Sequence, residues 1–200
     1  KHPLLLTRGV PGTHDIKLMT NLFRKVKKNT FRSISIPKFD KSIDDRCKKN
    51  SWFKLKKKPD ILILEGWCVG AKPENSKSLK RPINVLEKNA DKKKIWRSYV
   101  NNQLKSKYSK LFDQLDSLLY LKAKNFKLLK RWRLKQEKKL KMKSRTKKNS
   151  KIMNEREVET FMMTYQRITQ NMFKYTPTYS SAVIDLNEKH QIKKVRFKHA

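Results

Sequence analysis

The apolar residues of this chain fall into two kinds of run. Some repeat at helical spacing, and others are short and bounded by turn residues. Ile16, Met19, Phe23 and Val26 predict a helix just after residue 15. Ile95, Tyr99, Val100, Leu104, Tyr108, Leu111 and Phe112 form one stripe and predict a helix over 91–114, with Trp96, Arg97 and Asn101 flanking it. Val158, Phe161, Met162, Tyr165, Ile168 and Met172 predict another over 155–174. A basic helix is expected over 125–143, its sparse apolar side made of Phe126, Leu129, Trp132 and Leu140. Leu86 and Glu87 belong to a short helix within 82–90. The strands expected are 31–36, 117–123, 181–186 and 191–197. Most conspicuous is Ile61-Leu62-Ile63-Leu64, four aliphatic residues ending at Glu65-Gly66, which reads as a strand buried on both faces. Strands alternating with long helical patterns predict an α/β chain with a mostly parallel sheet flanked by helices, organised as one domain over 1–200.

Charge and composition narrow the chemistry. Lys and Arg number 52 against 17 Asp and Glu, a formal net charge of +35. Such a field suits polyanions or small phosphate ligands. The lysines are spread almost everywhere, turns included, and no zinc-finger or RNP signature accompanies them. Nucleic acid is therefore not the expected partner, although a basic nucleic-acid-binding protein stays open as the alternative. No apolar run approaches the roughly 18 residues of a membrane span, so no membrane association is expected. Cys47 and Cys68 have no metal-like spacing, and the four histidines form no zinc-type pair. So few cysteines fit a reducing compartment, and a cytoplasmic location is expected.

All four glycines lie in two short segments, Gly9 and Gly12, then Gly66 and Gly70. Glycine serves where the backbone must turn left-handed or approach a ligand closely. Thr13 is the expected cap of the first helix, with Asp15 in its first turn. Arg8 and His14 beside this turn could grip an anion, and Asp40, Lys41 and Arg46 lie in a charged loop just past a strand.

Taken together, Thr7-Arg8-Gly9-Val10-Pro11-Gly12-Thr13-His14-Asp15, Phe39-Asp40-Lys41-Ser42, Ile63-Leu64-Glu65-Gly66-Trp67, Trp96-Arg97-Ser98-Tyr99-Val100-Asn101, Trp132-Arg133-Leu134-Lys135-Gln136-Glu137 and Tyr165-Gln166-Arg167 resemble the D-glycerate 3-kinase family in order and across nearly the whole chain. That family belongs to the P-loop kinases related to phosphoribulokinase and uridine kinase. The resemblance implies a P-loop NTPase-like fold, ATP and Mg2+ as cofactors, and D-glycerate or a similar small hydroxy acid as acceptor. It implies that Glu65 is a Walker-B-like carboxylate holding Mg2+ through water and that Gly66 lets the backbone come close. Arg8, His14, Asp15, Lys41 and Arg46 would face the acceptor, and Asp40 would orient its hydroxyls. Arg131 on the cofactor side and Arg133 at the reacting phosphate would belong to a basic lid over 126–151. Whether Asp15, Asp40 or another residue takes the hydroxyl proton stays open.

One departure is large. No glycine remains to build a Gly-rich loop ending in Gly-Lys-Ser/Thr, so the nest for the β- and γ-phosphates is absent. The chain is expected to lack an N-terminal strand–helix unit and a central strand, and not to turn over ATP alone. A kinase relative without activity is the other open reading.

Overall fold

The computed structural model describes residues 2–6, 8–40, 45–143 and 152–198. Helix α1 (Ile16–Lys28) buries Ile16, Phe23 and Val26, as their spacing requires. Its cap is Asp15 rather than Thr13. Asp15 Oδ1 accepts from the Leu18 N–H at 3.1 Å. Thr13 sits too early and is held by the preceding turn, where its Oγ1 accepts from the Gly9 N–H and donates to the Val10 carbonyl, both at 2.8 Å.

The strands form three separate sheets. Strand β1 (Ile34–Ile36) pairs antiparallel with β4 (Phe53–Leu55), and β2 (Phe39–Asp40) pairs antiparallel with β3 (Asp45–Arg46). In the third sheet β5 (Leu119–Lys122) lies parallel to β6 (Ala182–Leu186), which is antiparallel to β7 (Ile192–Phe197). The mixed α/β class stands, but a mostly parallel sheet does not: β5–β6 is the one parallel pair among the described residues.

The expected buried strand at 61–64 joins no ladder, and Ile61 and Ile63 are 77% and 79% exposed. A strand needs neighbours for its backbone hydrogen bonds and its two faces. Here the segment lines one wall of an apolar groove of about 1300 Å³, and Leu118–Leu121 line another.

The expected helix over 91–114 is divided into α3 (Ile95–Gln103), a π turn (Leu104–Tyr108) and α4 (Ser109–Phe112). Its buried face carries Trp96, Val100, Leu104 and Tyr108, spaced by four. An α-helix advances about 100° per residue, so this spacing drifts by about 40° at each step. The wider π turn absorbs the drift and keeps Tyr108 inside. The stripe is also rotated from the expected one: Ile95 and Tyr99 are exposed, while Trp96 and Arg97 are buried. Asp91 sets this rotation. Its carboxylate accepts from the Trp96 and Arg97 N–H groups at 2.9 and 3.1 Å and pairs with the Arg97 guanidinium at 3.0 Å.

Helix α2 (Val85–Ala90) precedes this region, and α5 (Phe126–Lys143) packs on α6 (Glu155–Tyr179). In α5 the buried leucine is Leu128 rather than Leu129. Along α6, Val158, Met162, Tyr165, Ile168 and Met172 are buried, on the face the periodicity marked. Arg167 on the same helix holds α2 and the loop before it. Its guanidinium pairs with Glu87 at 2.6 Å and Glu74 at 3.4 Å and donates to the Ser78 and Arg81 carbonyls at 3.1 and 2.8 Å.

Helix α6 starts with a capping box. Asn154 accepts from the Glu157 N–H at 3.0 Å, and Glu157 Oε2 accepts from the Asn154 N–H at 2.7 Å. Asn154→Ala is expected to lower stability by about 1 kcal/mol, read as a lower urea midpoint with an unchanged slope.

Candidate functional site

The site is built on the turn from Arg8 to Asp15. Gly12 adopts φ 102°, a conformation a side chain would strain, and any Cβ there would meet the Tyr99 ring. A Cβ at Gly9 would run into the Tyr165 hydroxyl, so α6 and the turn meet backbone to side chain. The β2–β3 hairpin meets this turn. The Arg8 guanidinium lies 4.0 Å from the centre of the Phe39 ring, a cation–π stack, and Arg46 pairs with Asp15 at 3.1 Å.

Behind the turn stands Tyr108. Its hydroxyl accepts from the Gly12 N–H at 3.0 Å and lies 2.7 Å from His14 Nδ1. Burial pushes the Tyr108 phenol up to about 12, so it keeps its proton. Burial, and then the nearby Arg8 charge, hold the His14 imidazolium below its ordinary range, so the ring is neutral near pH 7.

Tyr165 is the hinge between the turn and α5. Trp67 packs on it with ring centres 4.9 Å apart, and the Trp67 Nε1–H donates to Thr169 Oγ1 at 2.8 Å. Burial raises the Tyr165 phenol, and the charges of Arg133 and Arg8 partly offset that rise. Arg133 reaches this neighbourhood from α5, 5.1 Å over the Phe161 ring and paired with Glu137. Its Nε is buried with no hydrogen-bond partner among the described residues.

No protein-family model matches the chain. An uncharacterized kinase of Schizosaccharomyces pombe, mug58, is 34% identical over 188 residues, which cover 91% of this chain and 64% of that protein. The chloroplastic D-glycerate 3-kinase of Arabidopsis thaliana is 26% identical over 140 residues, covering 67% of this chain and 28% of that protein. In fold, a D-glycerate 3-kinase structure from Cryptococcus neoformans superposes with a TM-score of 0.78 at 24% identity, covering 98% of this chain and 71% of that one. The chain is thus similar to kinases, D-glycerate 3-kinases among them. It spans less than two thirds of the length of the curated relatives it matches.

Within this kinase-like frame, the structure gathers Arg8, His14, Asp15, Asp40 and Arg46 around one turn and one hairpin, with Asp40 opposite Asp45 in the β2–β3 register. Lys41 lies outside the described residues. Arg133 joins the group through Tyr165. Arg131 does not: it points to the β6–β7 turn and pairs with Glu188 at 3.1 Å, beside Trp132 stacked on His190 with centres 4.0 Å apart. Of the expected lid over 126–151, α5 supplies 126–143, and 144–151 lie outside the described residues. Glu65 and Gly66 stand on the groove wall directly before Trp67.

No cluster of three His, Cys, Asp or Glu able to cage a metal occurs among the described residues. A lone carboxylate such as Glu65 fits Mg2+, which keeps several waters and is otherwise held by substrate phosphates. No helix is long and apolar enough to cross a membrane among the described residues. Sequence reasoning missed Tyr108 and Tyr165 as site residues. Both lie in apolar stripes, where an aromatic ring reads as core, and only the hydroxyl at its tip meets the site.

Proposed function

We propose that this fold transfers the γ-phosphoryl group of ATP to a hydroxyl of D-glycerate or a similar small hydroxy acid. What carries the reading is the convergence of Arg8, His14 and the Asp15–Arg46 pair at one turn, with the Arg133 charge reaching Tyr165, which Arg8 also neighbours. An acceptor carboxylate demands cationic, hydrogen-bonding partners, and Arg8 offers a guanidinium already fixed in plane by Phe39. His14 adds a neutral imidazole, and in this reading Asp40 orients the acceptor's hydroxyls. The acceptor oxygen forms a bond to the γ-phosphorus. The bond to the bridging oxygen breaks, ADP leaves with its electron pair, and the hydroxyl proton passes to a carboxylate base. Such a reaction needs positioning and charge stabilisation more than covalent help. Arg133 supplies positive charge for the transferred group. Mg2+, when bound, offsets phosphate charge, and Glu65 would hold it through water.

The four glycines build no phosphate nest, so this reading requires a strand–loop–helix unit that is not among these 200 residues. Its seat in this proposal is the groove between residues 59–66 and β5. Three observations support that seat: the apolar walls, the unpaired segment at 61–64, and the outer edge of β5, which has no ladder partner among the described residues.

A coupled assay with Mg-ATP and D-glycerate tests both parts. The expected result is glycerate-dependent ADP release from a protein that includes the phosphate-binding unit, and none from these 200 residues alone. Turnover by the 200 residues would refute the need for the unit. No glycerate-dependent release from the longer protein would refute the acceptor.

A further inference from the structure

We propose that Tyr108 is a positioning residue that fixes His14 as its Nε2–H tautomer and so presents a neutral N–H donor to an oxygen of the acceptor; the last step rests on the acceptor-site reading above. The argument is one of proton accounting. A phenol has one proton and accepts through its oxygen lone pairs. The Tyr108 oxygen already accepts from the Gly12 N–H at 3.0 Å. Tyr108 is 4% exposed, so its O–H is turned towards protein groups. The remaining partner is His14 Nδ1 at 2.7 Å. If Nδ1 carried the ring proton, two donors would face each other and the buried phenol proton would have no acceptor. Nδ1 must therefore accept, and the ring proton resides on Nε2. The structure gives Nε2 no hydrogen-bond partner among the described residues.

The groups around the ring agree with this assignment. Arg8 disfavours a second positive charge from the loop side, and the Asp15 carboxylate is engaged by Arg46 of β3 and by the Leu18 N–H. Tyr99 of α3 lies on the same turn, its hydroxyl 3.4 Å from the Gly12 carbonyl. The π turn that ends at Tyr108 brings the phenol to this position. A neutral donor suits an acceptor that must keep a reactive hydroxyl oxygen: it orients without adding a proton that could be lost to that oxygen.

Long-range 1H–15N correlation spectra of the histidine rings test this on the chain as it stands, with His14→Gln used for assignment. The expected result is a pyridine-like Nδ1 and a pyrrole-like Nε2 at pH 7, with a titration midpoint below 6.5. A protonated Nδ1 at neutral pH, or a midpoint at or above 6.5, would overturn the proposal. Tyr108→Phe keeps the ring and removes the bond. It is expected to give mixed tautomers and to move the midpoint up towards the ordinary value. An unchanged tautomer and midpoint in a folded Tyr108→Phe protein would also overturn it. Should that variant not fold, the wild-type tautomer decides alone. Added D-glycerate is expected to shift the His14 Nε2 resonance. The expected tautomer with no response to D-glycerate would count against the acceptor reading and leave the Tyr108–His14 bond standing.

Discussion

Arg167→Met is expected to lower the unfolding free energy by about 3–5 kcal/mol, the range for removing one partner of a buried ion pair. The Arg167 side chain is 8% exposed and its Glu87 partner 0%, and two bonds join them, Nε to Oε1 at 2.8 Å and Nη2 to Oε2 at 2.6 Å. Glu87 would be left in the core without its cationic partner. The carbonyls of Ser78 and Arg81 would lose their donor as well. Burial pulls the Arg167 pKa down, yet the hydrogen bonds and charge of Glu87, with a further contribution from Glu74, hold it above its ordinary value. At Glu74 the balance reverses: burial raises its pKa and the Arg167 charge offsets only part of the rise. The dominant pair is therefore Arg167–Glu87, with Glu74 as a weaker outer contact at 3.4 Å. Guanidinium titration followed by tryptophan fluorescence measures the loss. Arg167→Met combined with Glu87→Leu should recover much of it, because an apolar pair leaves no orphan charge. A single variant within about 1 kcal/mol of wild type, the typical size for a surface pair, would show that the network is solvated.

The second large effect concerns Arg8. In a protein that includes the phosphate-binding unit, Arg8→Ala is expected to lower kcat/KM for D-glycerate by about 10²–10³-fold, the size typical of removing one preorganised charged donor. Arg8 is poised rather than merely positive. Its guanidinium is stacked on Phe39, close enough to Tyr165 and His14 to bias both, and carried on a turn that Gly9 and Gly12 allow to pass close to two tyrosines. Arg8→Lys keeps the charge but loses the planar stack and the forked donors, so it should recover little. Steady-state kinetics over a range of D-glycerate concentrations separates the outcomes. A rise in KM alone assigns Arg8 to acceptor binding, an equal fall in kcat and kcat/KM assigns it to the transition state, and full activity of either variant removes it from the site.

Helices were largely legible because periodicity reports the buried face directly. The spacings of α1 and α6 mark the face that is buried. What periodicity could not see was long-range. Whether Ile61–Leu64 forms a strand depends on neighbours that no four-residue run encodes. The rotation of α3 depends on Asp91, whose carboxylate turns Trp96 and Arg97 inwards. The site shows the same division. Arg8, His14, Asp15 and Arg46 stood out as charged or polar residues next to glycines and strand ends, and the fold brings them together. Arg131 stood out equally and is directed to Glu188, because neighbouring residues on a helix point to different sides. Tyr108 and Tyr165 were hidden by their own ring surfaces.

The outer edge of β5 has one more consequence. Leu119 and Leu121 are 62% and 61% exposed beside backbone groups with no partner strand among the described residues. Such an edge is a template for adding a strand from another copy of the chain. Every copy carries a formal net charge of +35, so two edges approach against strong repulsion. At physiological ionic strength that repulsion reaches only about 8 Å. The lysines scattered through this sequence thus act as a colloidal guard on this edge, and salt sets how far the guard extends.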